Sequence, residues 1–312
     1  AMRVQAEARG QTCNAALERR VGRAIAPALD AVWPAVRPEE VLYEVLTAPP
    51  AGVLTDEERA AITWTKPPRT FKSAKWTPAD LVLLDELAGL LERPRGYGHV
   101  IVDEAQDLSP MQCRAVARRS EHGSLTVLGD LAQGTTPWAA RSWPEHLALL
   151  GKPEGHVVEL TTGFRVPGVV VELANRLLAA LEAGVPATRS YRADGRLRII
   201  AAAELEKGVA EAVLEATAFE GSIGVIAADA QAESLTCALW DAGLDLGERL
   251  AVVPASLAKG LEYDHVVVAE PAAIAAAERR GLNRLYVALT RAVSRLDIVH
   301  SEPLPAQLSR PS

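Results

Sequence analysis

Residues 99–107 read HVIVDEAQD, a short apolar run that ends directly in two acids. Residues 125–133 repeat this pattern with LTVLGDLAQ, and Ser109-Pro110 opens a predicted helix between the two runs. A strand, a helix and a second strand with polar residues at the strand ends are typical of a parallel α/β sheet. We therefore predict parallel α/β structure from about residue 96 onward.

The alternation of apolar runs and helical stretches restarts at about residue 156. We predict strands at 157–160, 197–200, 223–226, 250–253, 265–268 and 296–299. We predict helices at 168–182, 204–219, 231–242 and 272–292. This second block is long enough to form a complete α/β domain of its own.

The first 95 residues predict a mainly helical segment that prolines interrupt repeatedly. Apolar residues recur at near-helical spacing from 14 to 29. Thr55 and Thr77 are predicted N-caps of two further helices, and Pro78 follows at the first helical position. The tryptophans of this segment are predicted to pack in its interior: Trp33, Trp64 and Trp76.

The composition limits the classes of protein to which the chain can belong. The chain has 312 residues, 49% apolar and 23% charged, with a formal net charge of −7. This negative charge argues against a protein that binds nucleic acid through a large basic surface. It is compatible with a protein that binds nucleic acid in one local groove. The sequence has neither a long apolar run nor a signal core, so we predict a cytoplasmic protein without a membrane span. The three cysteines, Cys13, Cys113 and Cys237, are far apart in the sequence. This spacing predicts reduced thiols and not the ligands of a zinc site.

Asp103 and Glu104 follow the first apolar run directly. Nucleotide hydrolases of the P-loop class hold Mg²⁺ and a catalytic base at such a strand tip. The first acid can orient metal-bound water, and the second can accept a proton from the attacking water. The alternative is that the two acids end the strand by chance and have no catalytic or metal-binding role.

Gln133 and Arg165 follow two later predicted strands. An amide at the position of Gln133 can reach a γ-phosphate, although a polar turn is the alternative. An arginine at the position of Arg165 can cross a domain cleft and neutralise phosphate charge, as arginine fingers do. The alternative for Arg165 is an ordinary surface residue.

Two further sequences complete an ordered set: ASLAKGLEYD at 255–264 and NRLYVALTRA at 283–292. The set resembles motifs II to VI of the superfamily 1 helicases related to UvrD, Rep and PcrA, over residues 99–301. The resemblance implies an ATP-dependent motor with α/β, RecA-like P-loop NTPase parallel sheets, one partial and one complete. The implied domains are a helical segment at 1–95, the end of the first motor domain at 96–155 and the second motor domain at 156–312.

A closer resemblance is to the HelD-type helicase-like proteins that act on RNA polymerase in GC-rich bacteria. It rests on WTPADLVLLDEL at 76–87, DEAQDLSPMQ at 103–112 and PWAARSW at 137–143. The interval from Arg165 to Lys259 agrees, because predicted elements of the second domain fill it and leave no room for the large insertion of unwinding UvrD relatives. Residues 1–95 would then be the tail of a HelD-specific insertion. The implied partners are RNA polymerase and single-stranded nucleic acid, and we expect a monomer that binds no membrane.

The resemblance also implies a role for individual residues. Asp103 would bind Mg²⁺, and Glu104 would handle the attacking water. Gln133, Arg165 and Arg291 would contact phosphate. Residues implied in nucleotide binding are Lys259, Gly260, Glu262 and Tyr286. Residues implied in nucleic-acid binding are Trp138, Arg141 and Ser256.

The sequence contains no GxxxxGK[ST] phosphate-binding loop. We therefore expect the chain to be part of a longer protein that binds Mg²⁺ and ATP or GTP, with a serine or threonine of that loop sharing the metal with Asp103. The chain alone is expected to be inactive and to require no cofactor. Two alternatives stay open: a DNA-translocating UvrD-like helicase or repair protein, and a non-catalytic docking module.

Overall fold

The computed structural model describes residues 15–92, 94–181 and 183–309. The chain forms two compact units, residues 1–94 and residues 95–312. The domain boundaries predicted from the sequence stay predictions, and the one between 155 and 156 lies inside the second unit. The predictions for Cys13 and for a helix start at 14 fall outside the described residues.

The first unit is built from helices joined by irregular segments. Its helices are α1 (Ala15–Val32), α2 (Pro38–Thr47), α3 (Asp56–Ile62) and α4 (Pro78–Leu91). Thr55 and Thr77 cap α3 and α4, and each forms a capping box with the acid three residues later. This confirms both predicted N-caps, because the hydroxyl and the acid satisfy backbone N–H groups that a helix start leaves free.

Aromatic rings pack together inside the first unit. Trp64 lies between Tyr43 and Trp76, with ring centroids 6.1 Å and 5.8 Å away. The packing role predicted for Trp64 and Trp76 is therefore confirmed. The prediction for Trp33 is wrong, because Trp33 follows the end of α1 and is 83% exposed.

The second unit opens with a short parallel sheet of two strands. Strand β1 (Val100–Val102) pairs with β2 (Leu125–Val127). Helix α5 (Pro110–Arg119) connects them, and α6 (Trp143–Leu149) follows β2. Ser109 caps α5 as predicted, and its hydroxyl accepts a hydrogen bond from the N–H of Gln112.

The rest of the second unit contains a complete parallel sheet. Two short strands, β3 (Thr162–Gly163) and β4 (Arg189–Ser190), pair with each other beside it. The large sheet has the order β5-β9-β8-β6-β7, formed by β5 (Arg196–Ala201), β6 (Ile223–Ala227), β7 (Leu250–Pro254), β8 (Tyr263–Ala269) and β9 (Ala292–His300). Its helices are α7 (Gly168–Leu178), α8 (Leu205–Thr217), α9 (Ala232–Asp241), α10 (Pro271–Ala276) and α11 (Gly281–Leu289).

Both faces of the large sheet are buried, as parallel sheets require. One face carries Val266 and Val268 of β8 and packs against α7 and α11. The other face carries Val267 and packs against α8 and α9. These layers confirm the predicted α/β class with parallel sheets, preceded by a helical segment. Among the described residues, no helix is both long and apolar enough to cross a membrane.

Two predicted elements are wrong. Residues 157–160 form no regular element and are exposed, Leu160 by 80%, and no strand among the described residues pairs with them. A strand needs a neighbour for its backbone groups, so an apolar run alone does not create one. The single helix predicted at 272–292 is two helices, because the chain turns between α10 and α11 and Gly281 lies against the backbone of Ala275.

Strand pairing buries a charged network at the edge of the large sheet. The register of β5 and β9 sets Arg198 opposite Asp297. Arg198 donates two hydrogen bonds to the Asp297 carboxylate, at 2.7 and 2.8 Å, and these raise the pKa of Arg198. The buried Arg295 also donates to Asp297, at 3.3 Å. Asp297 therefore neutralises two arginines within the sheet.

We expect Asp297→Ala to lower the free energy of unfolding by about 1–3 kcal/mol, because it removes the buried carboxylate that both guanidinium groups contact and leaves them only the more exposed carboxylate of Glu215. Urea unfolding measures the change. The exposed Asp245 provides the matched control, and Asp245→Ala should change stability by less than about 0.5 kcal/mol. Equal losses in the two variants would contradict the proposed role of this network.

Candidate functional site

The acidic tip of β1 is the centre of the candidate site. Asp103 and Glu104 directly follow the last residue of β1, as predicted. Glu104 has a left-handed backbone with φ 52°, a conformation that costs a non-glycine residue about 1–3 kcal/mol. The Asp103 carboxylate accepts a hydrogen bond from the Glu104 N–H at 2.8 Å and supports this turn. Backbone strain of this kind is typical of functional sites.

Gln106 connects the acidic tip to the end of β2. Its side chain is fully buried and donates to the Glu104 carboxylate at 2.7 Å. The side-chain carbonyl oxygen of Gln106 accepts a hydrogen bond from the Asp130 N–H at 3.1 Å. A Cβ at Gly129 would lie 2.5 Å from that oxygen, so a larger residue there would have to displace the buried Gln106 side chain. The glycine in GDLAQ therefore has a packing reason.

Lys259 reaches the acidic tip from the loop between β7 and β8. Its ammonium lies 3.1 Å from the Glu104 carboxylate and 2.6 Å from that of Asp107. It also donates to the Gln133 carbonyl at 3.4 Å. Burial raises the pKa of Glu104, but hydrogen bonds from Gln106 and Lys259 outweigh it and lower that pKa below its ordinary value. The cleft thus keeps Glu104 ionised beside a protein cation.

Asp107 fixes the turn that presents Trp138. Its Oδ1 accepts from the N–H groups of Thr135 and Thr136, both at 2.9 Å. Its backbone carbonyl accepts from the indole N–H of Trp138 at 2.8 Å. The Trp138 side chain is held at one end and still 52% exposed. This combination presents a fixed aromatic surface to solvent.

Gln133, which follows β2, and Arg291, which precedes β9 of the large sheet, contact each other. The Gln133 side chain donates to Asp130 at 2.9 Å and accepts from Arg291 at 2.9 Å. Arg291 is buried at the end of α11 and also donates to the carbonyls of Val287 and Leu261. Burial, followed by the charge of Arg165, lowers the pKa of Arg291 to about 10. Two arginines therefore share one region of the cleft.

Arg165 pairs with Glu262 at the exposed rim of this region. Its guanidinium lies 3.2 Å from the Glu262 carboxylate, and both side chains are about half exposed. The preceding residue, Phe164, stacks against Tyr191 with ring centroids 5.5 Å apart, and both rings are exposed. A positive group and a flat apolar surface thus lie side by side.

Four other predicted residues lie in different surroundings. Tyr286 is only 6% exposed and belongs to the core, where burial raises its pKa to about 12. Ser256 is exposed, and its N–H donates to Asp229 at 3.0 Å. Gly260 is exposed and has φ 79°, which favours glycine in that turn. Arg141 is exposed on the segment that follows Trp138.

The acidic tip fits a Mg²⁺ site that is shared with a nucleotide. Mg²⁺ in such sites binds one or two carboxylates and completes its shell with phosphate and water. Asp103 is exposed and could supply one oxygen, with Glu104 next to it. In the ranges that the structure describes, no group of three or more His, Cys, Asp or Glu could hold a metal by itself. The residues present therefore suit a metal that arrives with phosphate.

Sequence reasoning missed Gln106, Asp107 and the Phe164–Tyr191 pair as members of the site. Gln106 and Asp107 lie within DEAQD, so the motif contained the signal. Their partners beyond β2 are 24 to 31 residues away, and Lys259 is 152 residues from Asp107, so only the fold brings them together. Tyr191 meets Phe164 next to the pairing of β3 with β4, and no local pattern indicated that contact.

Comparison with known proteins gives one match to a family and several similar structures. Residues 251–299 match the family model for the UvrD-like helicase C-terminal domain. No curated protein sequence matches the chain. A structure described as the C-terminal domain of a possible DNA helicase from Lactobacillus plantarum is 22% identical over 47% of this chain and 93% of that one, with a TM-score of 0.37.

The arterivirus nonstructural protein 10, a helicase, is a second similar structure. Its complex with DNA is 17% identical over 66% of this chain, with a TM-score of 0.38, and the protein without DNA is 16% identical over 69%, with a TM-score of 0.39. This chain covers 40% and 41% of those two chains. Likeness at this level assigns no function. The stretch 251–299, which contains Lys259 and Arg291, is similar to the C-terminal domain of UvrD-like helicases.

Proposed function

We propose that the chain is the C-terminal portion of a superfamily 1 helicase-type motor that hydrolyses ATP or GTP with Mg²⁺. One observation carries this proposal: Lys259, on the loop between β7 and β8, contacts Glu104 at the tip of β1, and Arg291, just after α11, contacts Gln133 beyond the end of β2. Motors of this class hydrolyse nucleotide between two such sheets. The family match over 251–299 supports the proposal, because it includes both residues.

The roles proposed within the cleft follow from position and charge. Mg²⁺ bound with the nucleotide would neutralise phosphate charge and hold the reacting groups in place. Asp103 would bind the metal, and Glu104 would accept the proton of the attacking water. Gln133 lies within reach of Arg291, and this pair would contact the γ-phosphate. Arg165 would approach phosphate from the rim, and the exposed ring of Phe164 offers a flat surface to the base.

We expect Glu104→Gln to lower the kcat of NTP hydrolysis by about 10²–10⁴-fold in a full-length protein that also carries a phosphate-binding loop. Nucleotide binding should persist, because the amide keeps the shape of the side chain while losing the base. Steady-state hydrolysis and equilibrium binding of a fluorescent nucleotide measure the two effects. The exposed Glu121 provides the control, and Glu121→Gln should retain full activity. Loss of binding in Glu104→Gln would instead indicate a structural role.

Single-stranded nucleic acid is the proposed track of the motor. The exposed and anchored ring of Trp138 suits stacking on a base, which is sequence-tolerant. Arg141 is exposed three residues later and could contact phosphate. Ser256 precedes Lys259 by three residues, on the loop that reaches the acidic tip.

We expect Trp138→Ala to weaken binding of a single-stranded oligonucleotide by about 1–3 kcal/mol, or roughly fivefold to 150-fold. Fluorescence anisotropy of a labelled oligonucleotide at fixed salt measures the change. Trp240, another exposed tryptophan, lies on α9 and provides the control. Equal affinities for Trp138→Ala and Trp240→Ala would exclude Trp138 from the binding surface.

We propose further that the motor is of HelD type and acts on bacterial RNA polymerase. The sequences at 76–87, 103–112 and 137–143 support this closer resemblance. The interval between Arg165 and Lys259 also supports it, because its described residues form α7 to β7 and contain no inserted domain. The family match at 251–299 suits a DNA-translocating UvrD-like helicase equally well, so that function remains the second candidate.

A pull-down distinguishes the two candidates. We expect the full-length protein to retain core RNA polymerase on an affinity resin, and to show no unwinding of a tailed DNA duplex. Recovery of no polymerase, together with hydrolysis that single-stranded DNA stimulates strongly, would favour the UvrD-like helicase. An unrelated tagged protein on the same resin controls for non-specific capture.

A further inference from the structure

Helices α8 and α9 carry two large apolar side chains that face solvent. Trp240 of α9 is 66% exposed, and Leu214 of α8 is 62% exposed. Both helices pack on the same face of the large sheet through one buried cluster, which includes Val209 and Leu239. Since side chains three or four positions apart share one side of a helix, the exposed positions of both helices lie away from the sheet. We call these positions the acidic helix face: Glu211, Leu214, Glu233, Cys237, Trp240 and Asp241.

Trp240 is presented to solvent differently from Trp138. The indole N–H of Trp138 is bonded to a backbone carbonyl, whereas the indole of Trp240 forms no hydrogen bond in the part of the chain that the structure describes. Tryptophan is enriched at the energetic centres of protein interfaces, where its ring is buried against the partner. The exposed ring of Trp240 therefore suits a contact with another protein.

Negative charge is concentrated around this exposed ring. Residues 204–249, which include α8 and α9, contain ten acidic residues and only two basic ones, Lys207 and Arg249. The whole chain has 40 acidic and 33 basic residues, so the rest of it is almost neutral, with 30 acidic and 31 basic. The negative net charge of the chain therefore comes from this one segment.

The acids of the acidic helix face have no counter-charge among the described residues. Glu211, Glu233 and Asp241 form no ion pair there. The guanidinium of Arg249 donates to backbone carbonyls and does not neutralise these acids. The face is therefore a region of uncompensated negative charge around an apolar centre.

Charge decides which class of partner fits the acidic helix face. A nucleic-acid strand would bring its phosphates against the acids, and repulsion disfavours that contact. A protein segment rich in lysine and arginine has the complementary charge, which favours association and suppresses wrong partners. Helix α11, which ends just before Arg291, packs on the opposite face of the sheet, so this surface is separate from the candidate site.

We propose that the acidic helix face is a docking surface for a basic, amphipathic segment of a partner protein. Basic side chains of that segment pair with Glu211, Glu233 and Asp241, and its apolar residues cover Trp240 and Leu214. This inference does not depend on the proposed motor function, because it uses no residue of the candidate site.

A designed peptide tests the surface on the whole chain. The probe is a labelled helical peptide with leucine on one side and lysine or arginine on the other, and the matched peptide has glutamate at every basic position. We expect the chain to bind only the basic peptide in fluorescence anisotropy, and Trp240→Ala to weaken this binding about tenfold or more. Trp33→Ala removes another exposed tryptophan and should retain the affinity of the unmodified chain.

A charge reversal tests the electrostatic part of the contact. We expect Glu211→Lys to weaken binding of the basic peptide by about twofold to fivefold, since exposed ion pairs contribute little each. Glu154→Lys changes the net charge equally at an exposed position outside the face and should have a smaller effect. Circular dichroism checks that each variant is folded.

Cys237 reports where the peptide binds. It is exposed on the acidic helix face, whereas Cys113 is buried, and burial raises the pKa of its thiol to about 11. In a Cys13→Ser background, mass spectrometry follows alkylation of each remaining cysteine. We expect the basic peptide to slow alkylation of Cys237 in proportion to the fraction of chain bound, and the acidic peptide to leave it unchanged.

The outcomes identify the occupant of the surface. Equal affinities of Trp240→Ala, Glu211→Lys and the unmodified chain for the basic peptide would overturn the proposal, and so would alkylation of Cys237 that bound peptide does not slow. Weaker oligonucleotide binding in Trp240→Ala would identify nucleic acid as the occupant and overturn it. Self-association that Trp240→Ala abolishes would identify a second copy of the chain, with the same consequence.

Discussion

Parallel pairing of β1 with β2 is the constraint on which the candidate site depends. Because both strands run in the same direction, their carboxyl ends meet at one edge, and Glu104, Asp107 and Gln133 gather there. Gln106 then connects the two strand ends through one buried amide. Glu104 and Asp107 lie close together, and their negative charges need a positive group nearby. Lys259, on the loop between β7 and β8, supplies that charge.

The sequence predicted the strands of the large sheet closely, because each contains a short apolar run and the central strands β6 and β8 are buried on both faces. Its errors have a common cause. The run at 157–160 looks like a strand but pairs with no strand in the described part of the chain, and Trp33 looks like a core residue but follows the end of a helix and is 83% exposed. Apolar character indicates what a residue can bury, whereas burial itself depends on elements that lie far away in the chain.

The candidate site was less predictable from the sequence than the strands of the large sheet. Asp103, Glu104 and Gln133 were identifiable because motif and strand end coincide in the sequence. The motifs also named Lys259 and Arg291, but the contacts of these residues with Glu104 and Gln133 were not predictable, since each contact joins residues more than a hundred positions apart. The buried position of Tyr286 follows from packing in the core that Leu285 and Leu289 share. A motif thus locates reactive groups, but the tertiary fold decides which groups they face.

The strained backbone of Glu104 and the charged contacts of its carboxylate are related. A left-handed glutamate is costly, so Glu104 holds that backbone because Asp103, Gln106 and Lys259 each fix one part of it. Such over-determination keeps the carboxylate at one point in the cleft. The Lys259 contact differs from the other two, because Asp103 and Gln106 lie within two residues of Glu104, whereas Lys259 comes from the loop between β7 and β8. The position of the Glu104 carboxylate therefore depends both on its own turn and on the loop of the large sheet.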